Sequence, residues 1–531
     1  MSFFVFNLAF NSVFFLFFLL FVSVIYYFIP SKVRWIVLLI ASIFFYLSAG
    51  AENLPFIVLT ALVVFLSARQ INKLFEAAEQ EADEKQLKGK ERMSFMLPVK
   101  KKCRNRYVIP TIVFVVAILA FFKFKTFFLS FITQPVLRGS LSDLIVPLGI
   151  SYYTFSSIAY LLDIYWRKTK PITNYFKYLL CVSYFPQIVQ GPIARYHKLS
   201  AELFKEHPFD FNSVCFGIQL MLYGYFKKLV IADRLAIFTT QVFENIADYE
   251  GLVIAVALIF SAFQLYMDFS GCMDIVRGSS QIFGVTLDKN FNHPFFSKSS
   301  AEFWRRWHIT LGTWFKDYVY LPVVTSGWLT KITTGTKEKL GKEAAKKVNT
   351  AIPLLIVWLL TGLWHGTGWN YIVWGLYWGI LIISSTVFAK QYKKLTELLH
   401  INTAARGYQC FQMVRTFFLF TIGRMISALG TLGNTALAAK QLFHCFNPWI
   451  FWDGTLYRMG LDYKDFCIAF LSLLIVYKVS ALEETASVRE IIAGKNIVLR
   501  WIVYYGLIFS IILFGIYGPG YNASDFVYTK F

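Results

Sequence analysis

Apolar residues run in long blocks along most of the chain, separated by shorter polar or basic stretches. The blocks fall near 3–29, 33–49, 54–67, 107–130, 143–163, 212–232, 250–270, 351–363, 370–388, 413–430, 463–479 and 498–517. A helix needs about 20 apolar residues to cross a bilayer, and several blocks fall short of that. The pattern predicts an all-α polytopic membrane protein with roughly 10–12 transmembrane helices, the shorter blocks being re-entrant or interfacial. The first block lacks a basic flank and a small-residue cleavage site, so it reads as a retained span rather than a signal peptide. No internal repeat is evident, which weakens a transporter built from inverted halves.

Composition sharpens this picture. The chain has 531 residues, of which 57% are hydrophobic and 19% aromatic, and its mean hydropathy is +0.53. Such a chain is too apolar for a soluble enzyme of its length, and its aromatics suit interfacial belts and an aromatic-lined interior. The formal charge of +21 comes from basic residues clustered between the apolar blocks. That is the positive-inside bias of cytoplasmic loops, so no nucleic-acid partner is expected. Seven cysteines without a CxxC pair give neither a disulfide framework nor a zinc site, and no metal is expected.

Two polar segments stand out. Residues 69–106 hold eleven Lys and Arg with six acids in the same stretch, so the first half reads as a solvated helix. Residues 288–348 are also rich in Lys and Arg. Placing both in the cytoplasm puts the N-terminus outside if the first three blocks all span. Neither is large enough for a second domain, so a single membrane domain over 1–531 is expected.

Within 301–321, Trp304, Trp307, His308, Leu311, Trp314, Phe315 and Tyr318 fall on one arc of about 120° at 100° per residue. Arg305, Gly312, Thr313, Lys316 and Asp317 lie away from it. This predicts one helix lying in the interface plane, with His308 turned towards membrane or protein. The alternative for His308 is a core histidine that only anchors this helix.

His365 lies in Leu363-Trp364-His365-Gly366-Thr367-Gly368-Trp369, between two blocks that read as spans. An ionisable group at membrane depth is costly, usually faces protein or a watery cavity, and is a functional candidate by default. The glycines let the helix break there. The alternative is a histidine that only hydrogen-bonds a neighbouring helix. Histidine is suited to take a proton from a hydroxyl and later release it. No nucleophile elbow, phosphate loop, dinucleotide fingerprint or HExxH helix is present.

Gln187 and Gln190 lie in Tyr184-Phe185-Pro186-Gln187-Ile188-Val189-Gln190-Gly191-Pro192, whose Pro and Gly predict a broken segment. Asp268 and Asp274 flank Phe269-Ser270-Gly271-Cys272. Buried amides and carboxylates need partners, so tying helices together is the favoured reading for all four. Gln187, Gln190 and Asp268 are also substrate-binding candidates.

Several strings together resemble the membrane-bound O-acyltransferases, and within them the bacterial alginate O-acetyltransferase branch. These are Val146-Pro147-Leu148-Gly149-Ile150-Ser151-Tyr152-Tyr153-Thr154-Phe155, Pro186-Gln187-Ile188-Val189-Gln190-Gly191-Pro192-Ile193 and Met267-Asp268-Phe269-Ser270-Gly271. They continue with Asn290-Phe291-Asn292-His293-Pro294, Glu302-Phe303-Trp304-Arg305-Arg306-Trp307-His308-Ile309-Thr310-Leu311, Trp314-Phe315-Lys316-Asp317-Tyr318 and Gly362-Leu363-Trp364-His365-Gly366. The similarity runs from about 143 to 380, and Phe526-Val527-Tyr528-Thr529-Lys530-Phe531 loosely echoes the aromatic tail of that branch. Cys272 stands where the family pattern has an aromatic residue, and Arg277 where it has a small apolar one.

The resemblance implies a helical fold around a central tunnel, open to a cytoplasmic thioester donor and an extracytoplasmic acceptor. It makes His365 the catalytic histidine and His308 the second functional position, where eukaryotic members often carry Asn or Asp. Trp304, Arg305, Arg306 and Trp364 join the substrate-binding candidates. The expected donor is acetyl-CoA, a substrate rather than a bound cofactor. Arg305, Arg306 and Lys316 would meet its phosphates or snorkel to membrane lipid headgroups. The acceptor would be a cell-surface polysaccharide, reached with an extracytoplasmic partner of the SGNH-hydrolase type, at the bacterial inner membrane. D-alanyl transfer to teichoic acid is the alternative within the family. A transporter or flippase with proton-relay histidines is the alternative outside it.

Overall fold

The computed structural model describes residues 8–131, 134, 144 and 146–517. The aromatic tail at 526–531, and parts of the 3–29 and 143–163 blocks, lie outside the described residues. All elements among the described residues are helical, apart from one isolated bridge between Phe291 and Trp307. Nine helices among them are long and apolar enough to cross a membrane, from Ser31–Ser48 to Ile497–Phe514. Val13–Phe28 is a shorter apolar helix.

The apolar blocks mark these helices well, but the helices overrun them. The 54–67 block is part of Leu54–Glu84, so much of the charged segment 69–106 is helical and only a short turn separates it from Gly89–Cys103. The 351–363 block is the end of Gly327–His365, a 39-residue helix kinked at Gly341, where φ is 83°. Most of the block at 413–430 lies in Arg406–Ala428, a helix outside the nine candidate spans, where Arg424 is answered by Ser261 Oγ at 2.8 Å. The predicted span at 143–163 is corrected to a sixteen-residue helix, Ile150–Tyr165. Gly149, at φ 66°, starts it late, and a Cβ there would stand 2.0 Å from the Ile188 carbonyl oxygen. The helix is too short to cross upright and is buried by protein on most of its faces.

The chain divides into two compact units, Met1–Ile218 with Val276–Asp288, and Gln219–Ile275 with Lys289–Phe531. In the first, Tyr160, Tyr178 and Tyr196 pack ring to ring, with centroids 4.5 Å and 4.6 Å apart around Tyr160. Residues 184–191 follow the helix Tyr175–Ser183 as a run of turns, the broken segment that Pro and Gly predict. The Phe185 amide in it donates to Ser42 Oγ at 3.1 Å.

The second unit is held by close backbone approaches. A Cβ on Gly224 would meet the Gly271 carbonyl oxygen at 2.6 Å, so Phe211–Glu244 and Leu252–Ile282 touch there. Gly362 and Gly375 do the same for Gly327–His365 and Trp369–Val387, a contact of the kind small residues permit between membrane helices. Between these pairs lies a core of Trp307, Trp358, Trp374, Trp378, Phe303 and Phe420.

Candidate active site

The predicted single helix over 301–321 is corrected by the structure. Ser300–Arg306 ends at Trp307, His308 is left-handed with φ 45° and ψ 53°, and Ile309–Phe315 starts anew. The cause is the segment before it. The Asn292 amide donates to the Arg306 carbonyl at 2.9 Å, the Ile309 amide to the Asn290 carbonyl at 3.0 Å, and Phe291 bridges Trp307. These bonds replace helical ones. A left-handed histidine is uncommon and persists where its surroundings over-determine it. Burial of the aromatic arc is retained: Trp307, His308, Leu311, Trp314, Phe315 and Tyr318 are all buried.

Asn290 fixes the state of His308. Its Oδ1 accepts from the Thr310 amide at 3.1 Å and the Thr310 hydroxyl at 2.9 Å, and lies 3.2 Å from His308 Nδ1. A backbone N–H can only donate, so the atom facing Thr310 is the amide oxygen and not its nitrogen. His308 Nδ1 is therefore the protonated nitrogen, which leaves Nε2 as the acceptor. Burial pushes the imidazole pKa down to about 3, so the ring is neutral at physiological pH. Its faces are apolar, with Phe269 at 5.0 Å and Trp364 at 6.0 Å between ring centroids.

His365 is the last residue of Gly327–His365 and is buried. Gly366 follows in an extended conformation, and a Cβ there would stand 2.1 Å from the Tyr371 ring. The imidazole is held between two indoles, Trp364 and Trp374, each with its centroid at 4.6 Å. Trp364 thus touches both histidines. Trp304 joins through Trp374 at 5.7 Å and also packs on Trp358 at 4.8 Å and Trp378 at 5.1 Å. An imidazole walled by tryptophans at a helix break can accept and return a proton.

The structure brings His308, His365, Trp304 and Trp364 together. Other candidates lie differently. Arg306 donates to Glu302 at 3.1 Å and to Glu484, so its charge is already balanced, while Arg305 is exposed. Asp268 pairs with Lys228 at 2.7 Å, and Lys228 also reaches Asp233 at 2.8 Å. Lys227 takes Asp274 at 2.6 Å and donates to Ser270 at 3.1 Å. Both lysines leave one wide, π-helical stretch, Phe226–Ala232, which lets neighbouring residues turn inward together. Gln187 and Gln190 belong to the first unit, where both are buried and the Gln187 side-chain carboxamide has no partner among the described residues.

Sequence reading gave no role to Asn290, Trp374, Lys227 or Lys228. The Asn290 signal lay in the string Asn290-Phe291-Asn292-His293-Pro294, and Trp374 lies nine residues past His365 in the next apolar block.

A model of the membrane-bound O-acyltransferase family matches residues 44–334. The chain belongs to that family. It is 31% identical over 359 residues to a probable alginate O-acetylase, AlgI, of Pseudomonas aeruginosa, covering 66% of this chain and 62% of the relative. It is 29% identical to a peptidoglycan O-acetyltransferase of Helicobacter pylori, covering 73% of this chain and 72% of the relative. A teichoic acid D-alanyltransferase of Bacillus subtilis is 31% identical over 270 residues, 50% of this chain and 65% of the relative. The match thus spans less than two thirds of the Pseudomonas and Bacillus relatives. As a family member with many apolar helices, this O-acyltransferase-family chain is a multi-pass membrane protein.

Proposed function

We propose that this chain transfers an acetyl group from cytoplasmic acetyl-CoA towards hydroxyls of an extracytoplasmic polysaccharide, with His365 as general base. The observation that carries the reading is the meeting of His308 and His365 on the Trp364 indole, at a helix break inside a family member. The acceptor hydroxyl oxygen attacks the thioester carbon while His365 takes its proton. The C–S bond then breaks, and His365 returns the proton to the leaving thiolate. His308 stays neutral and orients the reacting groups through its accepting Nε2. The tryptophan walls exclude water, which would otherwise hydrolyse the thioester.

The basic segments at 69–106 and 288–348 face the cytoplasm of a bacterial inner membrane in this reading. An SGNH-hydrolase-type partner completes transfer outside. The likeness to a D-alanyltransferase supports a second reading, in which the thioester is a D-alanyl carrier protein and the acceptor teichoic acid.

The test uses purified full-length protein with its partner and labelled acetyl-CoA, following CoA release and acyl transfer. His365→Ala is expected to lower transfer by roughly 10²–10⁴-fold, the worth of positioned acid–base help, with an unchanged melting temperature. Near-wild-type turnover by a folded His365→Ala protein removes the general base. Release from a D-alanyl carrier alone selects the second reading, and release from neither donor reopens a transporter.

A further inference from the structure

Asn370 is the second residue of Trp369–Val387, four residues before Trp374, so the two share a helix face. Trp374 is one of the two indoles that hold His365. The Asn370 side chain is 1% exposed, and neither Oδ1 nor Nδ2 has a hydrogen-bond partner among the described residues. Gly368 gives it room, because a Cβ there would stand 2.2 Å from Asn370 Oδ1. The glycine that follows the His365 break therefore also makes the space in which the amide lies. Two more donors in the same aromatic cluster, Trp304 Nε1–H and Trp378 Nε1–H, are buried without a partner among the described residues.

A buried carboxamide loses its hydration and, with no partner, recovers nothing, whereas an apolar residue of the same shape loses nothing. A group of this kind, one helical turn from the indole that packs on His365, is explained when a ligand supplies the partner. We propose that Asn370 is a catalytic residue whose Nδ2–H donates to the thioester carbonyl oxygen as that oxygen becomes an anion. This rests on the acyl-transfer reading above. When the acceptor hydroxyl adds to the carbonyl carbon, its proton passes to His365 and the carbonyl π pair moves onto oxygen. Asn370 holds that oxyanion, and the helix N-terminus behind it adds a positive end. On collapse the C=O bond re-forms, C–S breaks, and the thiolate takes the proton from His365.

Asn370→Leu and Asn370→Asp in the full-length protein test this beside wild type and His365→Ala. Loss of one oxyanion donor lowers kcat by roughly 10²–10³-fold, and both variants should show it with the KM for acetyl-CoA little changed. Asn370→Leu should melt at the wild-type temperature or above, because it removes an unmet polar group. Retained kcat in Asn370→Leu overturns the proposal, as does a rise in KM alone. A lowered melting temperature with lost expression also overturns it, since the amide would then serve the fold. A wild type inactive with acetyl-CoA sinks the acyl-transfer reading itself. An active wild type, an inactive His365→Ala and an active Asn370→Leu remove only Asn370.

Discussion

Two polar interiors lie in the same unit and are built on opposite terms. Around Lys227 and Lys228 every charge is answered: Asp233, Asp268 and Asp274 stand within 2.8 Å of an ammonium, and Ser270 takes a further bond. Around His365 the polar atoms of Asn370, Trp304 and Trp378 are buried with no partner among the described residues. A closed ion cluster has nothing to offer a ligand, and breaking it leaves bare charge in apolar surroundings. An open set of donors gains only when something enters. The first interior is thus a fastener between helices, the second a set of buried polar atoms that the fold itself leaves unmet. Asp268, a substrate-binding candidate on its sequence, is one of the carboxylates that Lys228 holds.

The largest effect should come from breaking the fastener. Lys228→Met leaves Asp233 and Asp268 without their shared ammonium, and removing one partner of a buried pair costs about 3–5 kcal/mol. Yield and melting temperature in detergent should fall sharply, whatever the assay of turnover shows. A Lys228→Met protein as stable as wild type would erase the distinction between the two interiors.

Asn290 lies between these extremes, because it holds the Nδ1 side of His308 in the wall of the site. Asn290→Ala strips an acceptor from the Thr310 amide, the Thr310 hydroxyl and His308 Nδ1. Each unmet buried group costs about 1–3 kcal/mol, so the variant should be destabilised and slower. Asn290→Asp keeps the acceptor oxygen and should recover the melting temperature. Its carboxylate also favours the protonated imidazole, so the acid limb of the activity profile should move to higher pH than in the wild type. Recovery of stability with an unchanged pH profile would mean that Asn290 shapes the backbone only.

How much of this the sequence tells depends on the range of each interaction. His365 is legible because its signal is local: an ionisable ring, flanking glycines and an apolar block on either side. The aromatic arc around His308 is legible as burial, since 3.6-residue periodicity survives in the short helices. Its left-handed break is not, because it depends on pairing with residues 290–292, which no helical wheel contains. Asp268 and Asp274 read as ties between helices, and they are. Their lysines stayed hidden inside an apolar block, since the pairing depends on Gly224 meeting Gly271 across two helices. Asn370 was lost at the edge of a span, where one polar residue changes little in an apolar count.

The smallest effect expected is also the most selective, and it concerns proton binding by His308. Its ring has a pKa of about 3 in the fold, against about 6.5 in an unfolded chain. Between those values the unfolded state holds a proton that the native state refuses, so stability rises with pH across the window and falls as acid is added. The slope from one such group is about 1.4 kcal/mol per pH unit. Above pH 7 both states are neutral and the contribution vanishes. Melting temperatures of wild type and His308→Asn should therefore run parallel from pH 7 to 8 and diverge below 6, with the wild type falling faster. Turnover between pH 7 and 8 should keep the same profile in both, because in the acyl-transfer reading His308 stays neutral throughout the reaction. Parallel melting curves down to pH 4.5 would show that His308 is reached by water and charges freely. The ring would then be hydrated in the fold and not shut into the dry aromatic interior that the acyl-transfer reading requires.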